Sequence, residues 1–235
     1  NYCFLDSIEK CNGKCRTKRL IMYAVAVTIL FKEGKLEELK DFFENTGFPA
    51  LETLKGDMYS IAFFNPKDNV NLGIAFMKDN ETADKFAEII NENLMQIQDI
   101  LDSLPRVYEG ELITGKTLRD SLIEDSKESM FLAFAKLDVK DADEYMNLQK
   151  EIYLPKLEED EGIISYGAFK SDENNLVLFE FWTSHDAKHD FDEKLNADKN
   201  VYEQFMPLMN GFDDYYGNPY AIKQFVDFKS GESIN

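Results

Sequence analysis

Polar and apolar positions along this chain fall into blocks of two periods, and the order of the blocks recurs. Residues 21–30 are almost all apolar and rich in Val and Ile, which predicts a buried strand. After Gly34 the period lengthens. Leu36, Leu39, Phe42 and Phe43 share one side of a helix over 35–44, and Phe48-Pro49 predicts its end, because a residue before Pro avoids the helical region. Strands over 58–64 and 70–77 flank the turn Asn65-Pro66-Lys67-Asp68-Asn69. Asn80 is placed to cap a helix over 81–92. A further helical stretch over 94–104 stops at Pro105, and 107–113 reads as a last strand.

The same order returns. A strand over 130–139 leads to a helix over 142–152, with Pro155 after it. Strands over 163–170 and 176–182 flank a turn at 171–175. Ser184 is placed to cap a helix over 185–195, a helical stretch covers 200–209, and 221–228 reads as the last strand. The expected division is a tail over 1–20, a first repeat over 21–113, a polar, partly helical linker over 114–129, a second repeat over 130–228 and a tail over 229–235. Each repeat reads β-α-β-β-α-(α)-β.

Individual residues keep step. At an offset of 106, Pro49, Leu51, Glu52, Gly56 and Phe63 meet Pro155, Leu157, Glu158, Gly162 and Phe169. One residue is lost at the hairpin turn, where indels are tolerated. At 105, Phe76, Phe86, Glu88 and Asn91 then meet Phe181, Phe191, Glu193 and Asn196. A small antiparallel sheet with helices on one face must bury its other face. Two such sheets packed face to face solve this and leave few free edges. The expected fold class is therefore α+β: two ferredoxin-like units whose antiparallel sheets pack as an intramolecular dimeric α+β barrel.

Composition narrows the partners. The net charge is −19, with the N-terminal twenty residues carrying a local basic excess. A body this acidic repels phosphate backbones and anionic lipid, so nucleic acid is excluded as a partner. The apolar run from Leu20 to Phe31 follows a basic flank, as in a signal peptide, but no small-residue cleavage site follows it and it is too short to span a bilayer. No membrane insertion and a cytoplasmic location are expected; a leader removed ahead of Asn1 and a trimmed start both stay open. Cys3, Cys11 and Cys15 are odd in number and no second ligand pair accompanies them, which predicts reduced thiols and no metal. No Walker loop, GxGxxG, HExxH, GxSxG or paired CxxC occurs.

Residues 159–191, EDEGIISYGAFKSDENNLVLFEFWTSHDAKHDF, carry a Glu-Gly opening at Glu161-Gly162, then Ser165-Tyr166, an acidic turn, Glu180-Phe181-Trp182 and a helix around Ala187. This segment resembles the antibiotic biosynthesis monooxygenase domain of the dimeric α+β barrel superfamily. The likeness covers about 90 residues of the second half well, and the first half more weakly through the repeat. It implies a cofactor-independent monooxygenase-like protein acting on a small aromatic or polyketide-like molecule held between sheet and helices. Two departures stand out. Phe191 occupies the position where the family often has His, and the haem-degrading branch needs an axial His where this chain offers Phe205 and Met206. No cofactor is expected.

Strand alternation places Leu178, Glu180 and Trp182 on one face. The matching stripe in the first half is Gly73, Ala75 and Met77, small and apolar, so one site is expected and in the second half. Glu180 is the candidate general base, and Tyr166 a hydrogen-bonding group for a phenol. His185 and His189 share a helix face at i, i+4; His185 joins the catalytic candidates and His189 the binding ones. Trp182, Leu178 and Met77 are the other substrate-binding candidates. Each has a plainer alternative: core packing for Trp182 and Tyr166, a solvated or paired charge for Glu180, an exposed helix face for the histidines. The aromatic run at 212–220, FDDYYGNPY, reads as a loop that lids a pocket or packs the last strand. The rival to an enzyme is a non-catalytic ligand-binding or structural barrel, with a protein partner or self-association.

Overall fold

The structure is a computed structural model, and it describes residues 8–9, 16–17, 23–54, 58–65, 67–119 and 129–223. The three cysteines and the last five residues, 224–228, of the strand expected over 221–228 lie outside these residues. Strands β1 (Ile8–Glu9) and β2 (Arg16–Thr17) pair antiparallel. By contacts the rest divides into two units, one built on Leu20–Glu109 and the other on Gly110–Asn218.

The N-terminal unit runs β3 (Tyr23–Leu30), α1 (Leu36–Phe42), α2 (Phe48–Leu51), β4 (Met58–Asn65), β5 (Val70–Met77), α3 (Asn80–Leu94) and the start of β6 (Arg106–Thr117). The central strand β5 pairs antiparallel with β3 and β4 in unbroken register. Interior residues of β3 are buried on both faces, which is why the expected strand has no alternation. Val25, Val27, Ile29, Ala62, Ala75 and Met77 face the helices and pack with Leu39, Phe43, Phe48, Leu51 and Phe86.

The C-terminal unit runs from the rest of β6 through β7 (Phe131–Val139), α4 (Ala142–Leu148), α5 (Leu154–Glu159), β8 (Ile163–Lys170), β9 (Asn175–Trp182), α6 (His185–Ala197) and α7 (Lys199–Phe205) into β10 (Met209–Lys223), as far as Asn218. Its sheet order is β6-β8-β9-β7-β10, with β9 in the centre. Ala133, Tyr166, Ala168 and Trp182 face Tyr145, Leu157, Phe191 and Leu195 of the helices. Both units are thus α+β, with the β-α-β-β-α-β order of a ferredoxin-like fold.

Several local expectations are corrected. Neither proline ends its helix. Each follows a wide π turn, Phe43–Gly47 and Gln149–Tyr153, and sits at the start of the next helical segment, where a missing N–H is tolerated. Asp79, not Asn80, caps α3, accepting from the Thr82 amide at 2.9 Å; Ser184 caps α6 as expected. The first four residues of the expected linker, 114–117, belong to β6 and pair with β8. Residues 212–220 are neither loop nor lid. They lie in β10, whose pairing with β7 outweighs the local turn signals of Asn, Gly and Pro.

Candidate active site

The helix-facing side of β9 is where charge enters an otherwise apolar layer. Glu180 stands between Leu178 and Trp182 on that face, opposite Ala133 of β7 and Tyr166 of β8. Both carboxylate oxygens are engaged. The Tyr153 hydroxyl donates to Oε1 at 2.5 Å, and the Trp182 indole N–H donates to Oε2 at 3.0 Å. The Lys188 ammonium lies 3.6 Å from Oε2 and donates to Asp192 Oδ1 at 2.5 Å. Its Nζ sits over the Trp182 ring at 5.7 Å and the Phe191 ring at 5.9 Å, within cation–π range. Phe191 in turn meets Trp182 at 5.1 Å and stands edge-on to Tyr153 at 5.7 Å.

Local structure explains the convergence. Lys188, Phe191 and Leu195 are the buried stripe of α6, so helical periodicity alone carries the ammonium inward. Asp192 follows one turn on, and the pair forms within the helix. Tyr153 is the last residue of the π turn, whose extra residue per turn rotates it toward the sheet. Gly162 allows α6 to start close to the sheet: a Cβ there would lie 2.6 Å from that of Ala187.

The surroundings tune these groups. Burial, then the Glu180 charge, push the Tyr153 phenol well above its ordinary range. Burial pushes Tyr145 up to about 12. Burial opposes the Lys188 ammonium, but the Glu180 and Asp192 charges outweigh it and hold the side chain protonated above the usual lysine range. Burial and Asp192 raise Tyr202.

A second cluster lies one strand over. The Tyr166 hydroxyl donates to Glu158 Oε1 at 2.5 Å, and Lys116 Nζ donates to Oε2 at 2.5 Å. Burial pushes Glu158 up, yet the bonds from Lys116 and Tyr166 win and hold it below the usual carboxylate range.

The sequence-predicted residues are thus divided. Glu180 and Trp182 are bonded to each other, Leu178 borders them, and Tyr166 faces the same layer but bonds to Glu158. Trp182 is 0% exposed and walled by protein atoms. His185 and His189 are stacked on each other, with side chains 67% and 61% exposed, and pair with Asp186 and Glu193. They are not brought to Glu180. Met77 is buried in the core of the other unit. Sequence reasoning missed Tyr153, Lys188 and Asp192. The signal for Lys188 was its place three residues before Phe191 on the apolar face of α6; Tyr153 had none that a regular helix would reveal. Among the described residues, no three His, Cys, Asp or Glu side chains group to hold a metal ion, and no helix is long and apolar enough to cross a membrane.

No protein-family profile matches this chain, and no curated protein does. Solved structures do. A candidate monooxygenase from Fusobacterium nucleatum subsp. nucleatum superposes with a TM-score of 0.69 at 14% identity, over 86% of this chain and 94% of that one. An anthrone oxidase-like protein gives 0.62 at 14%, over 86% and 91%. A chlorite dismutase mutant from Candidatus Nitrospira defluvii gives 0.56 at 11%, over 87% and 93%. The shared fold is the α+β one described above, with ferredoxin-like units. At these identities the likeness establishes the fold alone; substrate and chemistry have to come from the site itself.

Proposed function

We propose that the C-terminal unit is a cofactor-independent monooxygenase-like centre for a small aromatic or polyketide-like substrate, with Glu180 as base. The observation that carries this reading is an internal comparison. Positions 105 before Glu180, Trp182, Lys188 and Asp192 hold Ala75, Met77, Ala83 and Ala87, and positions 106 before Gln149 and Tyr153 hold Phe43 and Gly47. The N-terminal unit therefore builds the same architecture with an apolar set. Burying an ion pair seldom stabilises a fold more than apolar packing does, so the polar set is not there for folding.

Glu180 keeps 14% of its side chain exposed and Leu178 beside it is half-buried, which gives a ligand access that Trp182 lacks. In the proposed step a substrate C–H proton passes to the Tyr153 oxygen while the Tyr153 proton passes to Glu180 Oε1. Lys188 balances the charge. For an anthrone, the carbanion then gives electrons to dioxygen: one oxygen atom becomes the ring carbonyl, and the other leaves as water with the two hydrogens of the former CH2. The exclusion of water by the aromatic wall protects the carbanion.

The test is dioxygen uptake with anthrone, corrected for the spontaneous rate. One dioxygen per anthrone is expected, with Glu180→Gln slowing turnover by about 100-fold or more while the fold persists. An unchanged rate in Glu180→Gln overturns the base assignment. Uptake no faster than the spontaneous reaction favours the other reading, a structural or ligand-binding unit, which the fully buried Trp182 supports.

A further inference from the structure

We infer that this site takes aromatic molecules without a negative charge and turns away carboxylated ones; the inference rests on the reading that a ligand enters at Glu180. The titratable groups around the site come from every element packed against it, including Tyr166 of β8, which bonds to Glu158, whose charge Lys116 balances. Tyr145 and Tyr153 come from the α4–α5 segment, Glu180 from β9, Lys188 and Asp192 from α6, and Tyr202 from α7. The four phenols, Tyr145, Tyr153, Tyr166 and Tyr202, have their ionisation pushed upward and stay neutral at pH 7. That leaves two carboxylates facing one ammonium. Lys188 Nζ is held by Asp192 at 2.5 Å and lies 3.6 Å from Glu180, so its charge is already shared. Trp182 and Phe191 cover it on the ring side. An incoming carboxylate meets a surplus of negative charge where screening by water is weak. The chain's net charge of −19 adds to the repulsion at longer range.

The protein also carries its own example of what fits. Tyr153 presents a neutral phenol whose O–H donates to Glu180 while its ring stands edge-on to Phe191. A substrate hydroxyl on an aromatic ring can make the same pair of contacts, with the same carboxylate as acceptor.

Calorimetric titration of the full chain at pH 7 with 1-naphthol, 1-naphthoate and methyl 1-naphthoate tests this. Naphthol and the neutral ester are expected to bind at least about tenfold more tightly than naphthoate, since tenfold corresponds to a small difference in electrostatic free energy. Asp192→Asn removes one carboxylate and should shrink the naphthol-to-naphthoate ratio about tenfold, with naphthol itself changing less than about threefold. Asp192→Ala, which installs the residue found at Ala87, serves if the amide variant does not fold. Equal affinity for naphthoate and its ester overturns the charge selection while leaving a binding pocket. A ratio unmoved by both Asp192 variants overturns the part given to that carboxylate. Failure of all three probes to bind overturns the reading of the site, and this inference with it.

Discussion

The two units solve the same packing problem with opposite chemistry. In the N-terminal unit, the layer between β5 and its helices is closed by Ala75, Met77, Ala83 and the Phe43 ring, which fills the space beside Gly47. In the C-terminal unit, the corresponding layer holds a carboxylate, an indole, an ammonium and a phenol bonded to one another. The exchange is concerted. No member of the polar set stands alone in the N-terminal unit, where it would be a buried polar group without partners. The fold tolerates both solutions, and the polar one must be taken whole.

That comparison can be broken by removing one member only. Lys188→Ala leaves Glu180 and Asp192 facing each other without the ammonium, and should destabilise the C-terminal unit by about 3–5 kcal/mol in chemical unfolding. The triple variant E180A/K188A/D192A copies the N-terminal set and should lose less than Lys188→Ala alone. A triple variant as unstable as the single one would mean that the polar set is needed for packing after all.

A smaller effect sharpens the picture from the helix side. Tyr153→Phe deletes the bond to Glu180 and should cost about 2 kcal/mol, in the range of hydrogen bonds to charged groups. The same phenol sets a pH dependence. Burial raises Tyr153 and Tyr145 above 10.0, so the folded chain holds those protons more tightly than the unfolded chain. Their contribution is complete below pH 10 and declines as the pH rises, with Tyr145 titrating at about 12. Thermal unfolding between pH 9 and 12 should show a shallower decline in Tyr153→Phe than in the parent; parallel curves would remove Tyr153 from the account.

The smallest expected effect has the opposite sign. Gly73 corresponds to Leu178, its strand has no register break, and a Cβ built on it meets nothing within 4 Å. Gly73→Ala should stabilise the N-terminal unit by about 0.4–1 kcal/mol, chiefly by restricting the unfolded chain. A loss of stability would show that the space over β5 is not free.

Much of this was legible in the sequence. Strand alternation put Leu178, Glu180 and Trp182 on one face, and the contrast with Gly73, Ala75 and Met77 singled out the second half. The histidine pair was an equally clear pattern and led outward, because i, i+4 spacing says that two residues share a face but not which face is buried. The buried face of α6 was set instead by Phe191 and Leu195, and Lys188 came with them.

The sequence by itself determined the order of elements, the two-fold internal match and the polar stripe on β9, because these depend on periodicities of two and about 3.6 residues that act over a few positions. Tertiary structure alone decided that Tyr153 and Lys188 meet Glu180, and that 212–220 becomes strand rather than lid. Tyr153 lies 27 residues from Glu180, at the end of a π turn that breaks the helical period. The strand depends on β7, more than seventy residues earlier in the chain. Contacts at such separations are fixed by which surfaces must be buried together, and no local pattern encodes them.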